Sequence, residues 1–316
     1  MDSQLSLDFR FESRAAIRRF AAAALEYEAR LFDAADIEPV HEMRVSLNKL
    51  RVCLRFFSEF LPKRLRKSAE PSLAWFKDCL GSTRDLDVAA ELLRSLGSPG
   101  EAEAPGVRFA MESLEDERRR AAEALRKAMD LQEYAQTKSM LLDLAALGEK
   151  RKPKPAEKLK PSNRLDVQLP ALLARLMARF RKRRKTFERA YCPQTMHSMR
   201  ISGKRVRYVV SFFQTSNPGV FKPVEEAFDA LHDCTGSLHD IDVMRPWLER
   251  LMLRQLLNGD SETTGRLEPG MEWLQARLRD RRAELLRELR SIWANLRSEE
   301  FDALRREICR IPERGE

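Results

Sequence analysis

One seventeen-residue pattern occurs twice in this chain of 316 residues. The stretch HEMRVSLNKLRVCLRFF spans 41–57, and the stretch HSMRISGKRVRYVVSFF spans 197–213. They share seven residues at a constant offset of 156: one His, one Met, two Arg, one Ser and two Phe. Apolar residues recur in both at helical spacing, so the sequence predicts the same amphipathic helix in two places. Any fold for this chain must accommodate that helix twice.

A second pair of similar stretches follows the first pair in the same order. DCLGSTRDLDV spans 78–88 and DCTGSLHDIDV spans 233–243, with seven of eleven positions identical at an offset of 155. Neither pair is of low complexity. Two ordered matches at nearly one spacing indicate an internal duplication. Residues at matching positions of the two copies are called counterparts below.

The segment EKRKPKPAEKLKPSNR, residues 149–164, separates the two copies. It contains three prolines, no aromatic residue, and seven basic residues against two acidic ones. This composition is typical of an exposed linker. The sequence therefore predicts a first half at 1–148 and a second half at 165–316.

The rest of the chain is predicted to be all-α, as two pseudo-symmetric antiparallel helical bundles. Apolar residues make up 43% and charged residues 34%, glycine is scarce, and no β alternation persists. No apolar run approaches the roughly 18 residues needed to span a bilayer, and no secretory signal is visible. With five cysteines and no CxxC spacing, we expect a reduced cytoplasmic protein.

Helices are predicted at 12–34, 41–60, 64–80, 86–96, 107–147, 168–191, 195–215, 219–235, 241–258, 267–297 and 299–310, with loops at 97–106 and 258–270.

The second repeated stretch contains a glycine and two aspartates in both copies. A glycine often ends a helix, and an aspartate often caps the next one. We therefore expect Gly81 and Gly236 to end one helix in each half, and Asp85 and Asp240 to cap the helix that follows.

The first repeated stretch carries cations along one side. Steps of three and four residues place them on one helical stripe, with a flanking lysine or arginine beside it. The preceding helix of the second half adds further cations. The stripe residues are His41, Arg44, Asn48, Arg51 and Arg55 in the first half and His197, Arg200, Lys204, Arg207 and Ser211 in the second; the flanking residues are Lys49 and Arg205, and the added cations are Arg175, Arg179, Lys182 and Arg189.

Positive charge is concentrated on these helices. The chain has a net charge of +9, whereas the segment 175–207 alone carries +11 and the segment 41–67 carries +6. Segregation of this kind indicates a polyanionic partner. A solvated helix face is the alternative, but such faces usually alternate acids with cations. Since few acids lie on the stripes, we expect their cations to lack internal partners, so that Arg207→Gln leaves the unliganded protein as stable as before.

Candidate chemistry beyond anion binding is sparse. His41 and His197 stand at predicted helix starts, where a histidine caps the helix, packs against it or donates to a phosphate. HD dipeptides at 232–233 and 239–240 resemble the metal ligands of phosphohydrolases, but the first copy has Lys77 and Arg84 in place of the histidines. No Gly-rich phosphate loop, GxSxG or HExxH motif occurs. We expect no metal, no cofactor and no enzymatic activity.

The two H-x-x-R-[VI]-x-x-x-x-[LV]-R stretches, each followed by a G-x-x-[RH]-D-x-D-V stretch, resemble the CHAD domain, the conserved histidine α-helical domain. The resemblance extends over about residues 10–310. It implies two helical bundles around a central basic channel, binding of inorganic polyphosphate, and association with polyphosphate granules. The phosphate-binding positions it implies are His41, Arg44, Lys49, Arg51 and Arg55 in one half and His197, Arg200, Lys204, Arg205 and Arg207 in the other.

Two other functions remain open at this point. A single-stranded nucleic-acid-binding module would interleave aromatic residues with the cations to stack bases, and only Tyr208 lies near the stripes. An HD-type metal-dependent phosphohydrolase would use the dipeptides at 232–233 and 239–240. Polyphosphate offers regular charge and no bases, which suits a surface of lysine and arginine alone.

Overall fold

The computed structural model describes residues 7–32, 38–148, 152–213 and 218–310. These residues form ten α-helices and no β-strand, so the all-α prediction is confirmed. None of the helices in these ranges has the length and hydropathy needed to cross a membrane. The helices are α1 Phe9–Glu26, α2 Glu38–Phe57, α3 Lys63–Ser95, α4 Ala104–Met129, α5 Gln132–Ala145, α6 Leu165–Arg189, α7 Pro193–Phe213, α8 Pro218–Asn258, α9 Ser261–Asn295 and α10 Glu299–Ile308.

Helices α3 and α8 run without a break through the second repeated stretch. The predicted ends at Gly81 and Gly236, and the predicted caps at Asp85 and Asp240, are therefore wrong. A glycine inside a helix costs only about 1 kcal/mol relative to alanine, which a long, well-packed helix tolerates.

Each of these two glycines lies beside an arginine of the preceding helix. Nη1 of Arg44 on α2 lies 3.4 Å from the carbonyl oxygen of Gly81. Nη2 of Arg200 on α7 lies 4.0 Å from the point where a Cβ atom on Gly236 would stand. The glycines therefore mark the places where an arginine approaches the backbone of the next helix.

Other predicted boundaries differ in smaller ways. The helix predicted at 107–147 is divided, because Leu131 is extended between α4 and α5. Helix α9 begins at Ser261, inside the predicted loop, because the Asp260 side chain caps it by accepting a hydrogen bond from Thr263 N–H at 2.8 Å. The predicted ends at 34 and 215 lie outside the described residues, as do 1–6, 149–151 and 311–316 of the predicted domains.

The two halves pack their helices in the same order. In each half the first helix contacts the second, the second contacts the third, and the third contacts the fourth. The main contacts between the halves join counterpart helices: α1 with α6, α2 with α7, α3 with α8 and α4 with α9. Reciprocal contact of like with like is the pattern that a twofold relation produces. It brings the two histidine-bearing helices, α2 and α7, side by side.

An aromatic cluster joins the C-terminal ends of α2 and α7. The last phenylalanines of the repeated stretch, Phe57 and Phe213, are fully buried counterparts with ring centroids 6.1 Å apart. Phe9 of α1 contacts both, at 5.5 Å from Phe57 and 6.2 Å from Phe213. Each buried phenylalanine contributes roughly 1.5–3 kcal/mol of transfer free energy. The shared apolar end fixes the relative position of the cationic segments that precede it.

A glycine pair forms the crossing of α4 and α9. A Cβ atom on Gly106 would meet the backbone at Leu267 and would lie 2.8 Å from the Gly270 Cα. Reciprocally, a Cβ atom on Gly270 would meet the carbonyl of Glu103 and would lie 2.7 Å from the Gly106 Cα. The two backbones therefore touch directly, and no side chain fits between them.

We expect Gly270→Ala to lower the free energy of unfolding by about 1–3 kcal/mol, because the added methyl group forces two backbones apart. Gly265→Ala is the matched control on the same helix. Its Cβ position has nothing within 4 Å, so the change should stabilise by up to about 1 kcal/mol through helix propensity. Urea unfolding of both variants is the measurement, and equal effects would contradict the backbone contact.

Candidate anion-binding site

Cations from both halves meet where α2 and α7 lie side by side. The charge of Arg44 on α2 lowers the pKa of Arg200 and of Lys204 on α7, so these side chains lie within electrostatic range across the two halves. Arg207, one turn after Lys204, acts on Lys204 in the same direction. We call Arg44, Arg200, Lys204 and Arg207 the central cluster.

Arg44 and Arg200 are counterparts with unequal partners. Nη1 of Arg44 donates to Oδ1 of Asp85 at 2.6 Å. Arg200 faces the counterpart carboxylate, Asp240, but its buried Nε has no hydrogen-bond partner among the described residues. Burial, opposed by Arg200, raises the pKa of Asp240 to about 6. The second half therefore holds an arginine with unused hydrogen-bonding capacity.

Each copy of the second repeated stretch contains two aspartates separated by one residue. The second of these aspartates points to the next helix. Asp87 on α3 accepts from Nε of Arg118 on α4 at 2.6 Å. Its counterpart Asp242 on α8 accepts from Nε of Arg282 on α9 at 2.8 Å. In each half, the first aspartate thus lies near an arginine on the preceding helix, and the second accepts a hydrogen bond from an arginine on the following helix. The repeated spacing of the two aspartates therefore places one carboxylate toward each neighbouring helix, rather than capping a helix as the sequence pattern predicted.

Lys204 has the most perturbed charge in the central cluster. Burial, followed by the charges of Arg200, Arg44 and Arg207, lowers its pKa to about 7. Its Nζ lies 5.3 Å from the centroid of the Tyr208 ring, and it forms no ion pair with any other described residue. An anion placed beside such a lysine would favour its charged form.

His232 belongs to this site, although the sequence pattern supported only a metal-binding interpretation for it. Burial and the charges of Lys204, Arg200 and Arg207 lower its pKa to about 3, so its ring is neutral at physiological pH. Its buried Nδ1 has no hydrogen-bond partner within the described ranges. Aligning the two copies could have indicated this residue, because the counterpart of His232 is Lys77, whose charge also lowers the pKa of Lys204.

Other stripe cations do have internal acidic partners. Arg207 forms an ion pair with Asp229 on α8, and Arg51 pairs with Glu70 on α3 at 2.7 Å. Together with the Asp85 contact of Arg44, these pairs overturn the expectation of unpartnered cations. The acids lie on the next helix in sequence, so the pattern of residues along the stripe gives no sign of them.

The flanking cations lie in two separate places. Lys49 is near Arg207 and Glu225, and burial followed by Arg207 lowers its pKa. Arg205 lies in a second group, in which burial and then the charges of Arg55, Arg179 and Arg183 lower its pKa. Arg183 was not among the predicted site residues, although it lies one turn of α6 after Arg179.

Three of the predicted cations on α6, Arg175, Lys182 and Arg189, are not part of either group. Lys182 lines an outer groove of α6 together with Arg181, Lys185 and Arg189. Arg175 is exposed, and no contact links it to the central cluster in the described structure. The helical spacing grouped these residues with Arg179, but the packing of α6 on α7 brings only Arg179 and Arg183 close to Arg205.

The two histidines are inside their helices. His41 is the fourth residue of α2 and His197 the fifth residue of α7, so the capping alternative is wrong for both. Burial, then Arg84, lowers the pKa of His41, whose Nε2 lies 3.7 Å from a Glu42 oxygen. His197 is exposed, and its ring centroid lies 6.0 Å from that of His239.

The HD dipeptides do not form a metal-binding cluster in the part of the chain that the structure describes. There, the one group of three potential ligands within 4.8 Å of each other is Glu38, His41 and Glu42, at the start of α2. Asp233 is exposed, while His232 faces the central cluster. The side chains of that dipeptide therefore point to different surroundings.

These features define an all-helical protein in which two like-packed halves place cationic helices side by side. The family model of the CHAD domain matches residues 15–249, and the chain belongs to the CHAD domain family. A search among curated proteins finds no match.

Two solved structures share this fold. The CHAD domain from the plant Ricinus communis has a TM-score of 0.64 at 20% identity, over 99% of this chain and 97% of its own. PptA from Streptomyces chartreusis has a TM-score of 0.63 at 15% identity, over 91% of this chain and 99% of its own. At these identities the likeness concerns the fold.

The pKa of Lys204 generates a stability prediction. Between about pH 7 and pH 10 the unfolded chain keeps this proton while the folded protein does not, so wild-type stability rises with pH in that window. We expect Lys204→Gln to be more stable than wild type at pH 6.5, with the advantage shrinking toward pH 10. Urea unfolding at several pH values measures this difference, and a difference independent of pH would contradict it.

Arg207→Gln should behave in the opposite way. It removes the ion-pair partner of the half-buried Asp229, so we expect a loss of about 1 kcal/mol in the unliganded protein, limited by the water that reaches both side chains. Thermal melts of Arg207→Gln and Lys204→Gln at pH 7 compare a paired with an unpaired cation on the same helix. Equal melting temperatures would argue that the ion pair contributes nothing.

Proposed function

We propose that this protein binds inorganic polyphosphate along the central cluster between α2 and α7. The observation that carries the proposal is the net positive field at Lys204. After burial, the largest effects on its pKa come from the charges of Arg200, Arg44, Arg207 and Lys77, and no carboxylate is among them. A linear polyanion lying across α2 and α7 supplies charge to both halves at once.

The carboxylates around the site shape this proposal. Asp85 and Asp229 already occupy Arg44 and Arg207, so an incoming phosphate shares those arginines with an internal acid. Arg200 and Lys204 form no ion pair with an acid among the described residues, and the buried Nε of Arg200 has no hydrogen-bond partner there. We therefore assign the stronger phosphate contacts to the second half, with the buried Nδ1 of His232 available beside them.

A nucleic-acid ligand is less well supported. Single-strand binders stack bases on accessible aromatic rings. Tyr208, the aromatic residue next to the cluster, is 3% exposed and lies beneath Lys204 and Arg207. In the described structure the surroundings of the central cluster offer cations without a stacking platform.

An enzymatic role is also outside the proposal. We propose a non-enzymatic binder that needs no cofactor, because no described nucleophile is paired with a base in the central cluster. His232 would be the nearest base, but burial and the surrounding cations lower its pKa to about 3, which makes it a weak proton acceptor. From the cysteine pattern we expect a cytoplasmic setting, and from the resemblance set out above we expect association with polyphosphate granules.

The test compares two double variants that each remove two cations. We expect Arg200→Gln with Lys204→Gln to weaken polyphosphate binding more than Arg44→Gln with Arg51→Gln, by about tenfold, because charge-assisted hydrogen bonds without internal competitors contribute most. Affinity is measured by titration of labelled polyphosphate against both variants and wild type. Equal losses would contradict the assignment to the second half.

The same titration includes salt and a competitor. With about six phosphate contacts, the log–log slope of affinity against salt should be near −4, as for single strands. Single-stranded RNA at matched phosphate concentration serves as the control for general electrostatic attraction. Preference for RNA, or a slope near zero, would overturn the proposed function.

A further inference from the structure

A second cationic concavity lies between the start of α1 and the linker, away from the central cluster. Its volume is about 360 Å³, at the small end of the roughly 300–1,000 Å³ range of ligand pockets. Among the described residues, its charged lining consists of one carboxylate and five cations, which are Asp8, Arg10, Arg14, Arg18, Lys152 and Lys154.

Asp8 holds the linker against α1. One carboxylate oxygen accepts from the N–H of Phe11 at 3.1 Å, and the other accepts from the N–H of Lys154 at 3.1 Å. The backbone of Asp8 also forms an antiparallel bridge with Arg164 at the end of the linker. Asp8, the one acid among the described lining residues, thus fixes the walls of the pocket, and it brings the described part of the linker, residues 152–164, onto a basic helix face.

The arginines on that helix face are positioned toward one side. Arg10, Arg14 and Arg18 recur every four residues, which places them along one stripe of α1. Arg14 is anchored, since its Nε and Nη2 donate to the Phe60 carbonyl oxygen at 2.9 and 2.7 Å. A guanidinium oriented in advance loses less conformational entropy when it binds an anion.

The charge of the pocket is not balanced from within. In the described parts of the chain, Arg10, Arg18, Lys152 and Lys154 form no ion pair with any acid. Like charges gathered around one small space repel each other, and a bound anion would remove that repulsion. Planar guanidinium groups and lysines around a small concavity match the oxygens of a phosphate group.

We propose that this pocket is a second anion site, which takes a compact oligophosphate such as triphosphate. It is built from α1 and the linker, and it shares no lining residue with the central cluster. Its small volume suits a short anion, whereas the central cluster between α2 and α7 presents an extended surface. The proposal therefore does not depend on polyphosphate binding along α2 and α7.

The experiment uses the full chain with the central cluster weakened by Arg200→Gln and Lys204→Gln. Calorimetric titration of sodium triphosphate into this background should still show one binding event. Adding Arg10→Gln, Arg18→Gln and Lys154→Gln should weaken that event by about tenfold or more, since three charge-assisted contacts are lost. The matched control adds Lys63→Gln, Arg64→Gln and Lys67→Gln, three exposed cations at the start of α3, and should leave the affinity nearly unchanged.

Thermal melts establish that all variants are folded before titration. Absence of triphosphate binding in the background, or equal losses in the two triple-substituted proteins, would overturn the second site. Long-chain polyphosphate titrated into wild type separates the two proposals. If wild type fails to bind the long chain but the pocket still binds triphosphate, the proposed function fails and the second site stands.

Discussion

The arrangement of this protein depends on an arginine that reaches from one helix to a carboxylate on the next. Arg44 on α2 meets Asp85 on α3, and Arg200 on α7 faces Asp240 on α8. The neighbouring aspartates, Asp87 and Asp242, extend the chain of contacts to α4 and α9. Each half is therefore linked by charges from its second helix to its fourth. The cationic surface between α2 and α7 consists of positive charge that the carboxylates of this network do not neutralise.

Much of the fold was predictable, because helical periodicity and the repeated stretches are local signals. The places where prediction failed involve partners distant in sequence. Gly81 reads as a helix end from its neighbours alone, yet it lies beneath Arg44 in the middle of α3. The acidic partners of the stripe were missed because Asp229 is 22 residues beyond Arg207, on a different helix. Helical spacing likewise placed Lys182 of α6 in the predicted site, whereas in the structure it is Arg183 of α6 that lies near Arg205.

The two halves divide their lysines between counterpart positions. The first half has Asn48 and Lys77, and the second half has Lys204 and His232 at the matching places. A strictly symmetric site would carry the same residue at both counterpart positions, so any lysines there would come in counterpart pairs. Since Lys204 already has a pKa of about 7, further lysines there would lose their protons rather than add charge. The exchange keeps two lysines at the site without placing them at counterpart positions.

The contact between Gly106 and Gly270 has a consequence for the kind of ligand that the proposed function requires. Side chains adjust by changing rotamers, but two backbones in direct contact have no such freedom. Helices α4 and α9 therefore act as a fixed frame, and the ion pairs of Asp87 and Asp242 transmit its spacing to α3 and α8. A preorganised frame leaves the conformational adjustment to the ligand. A flexible polymer, which bends easily to match fixed positions, is better suited to such a protein than a rigid duplex.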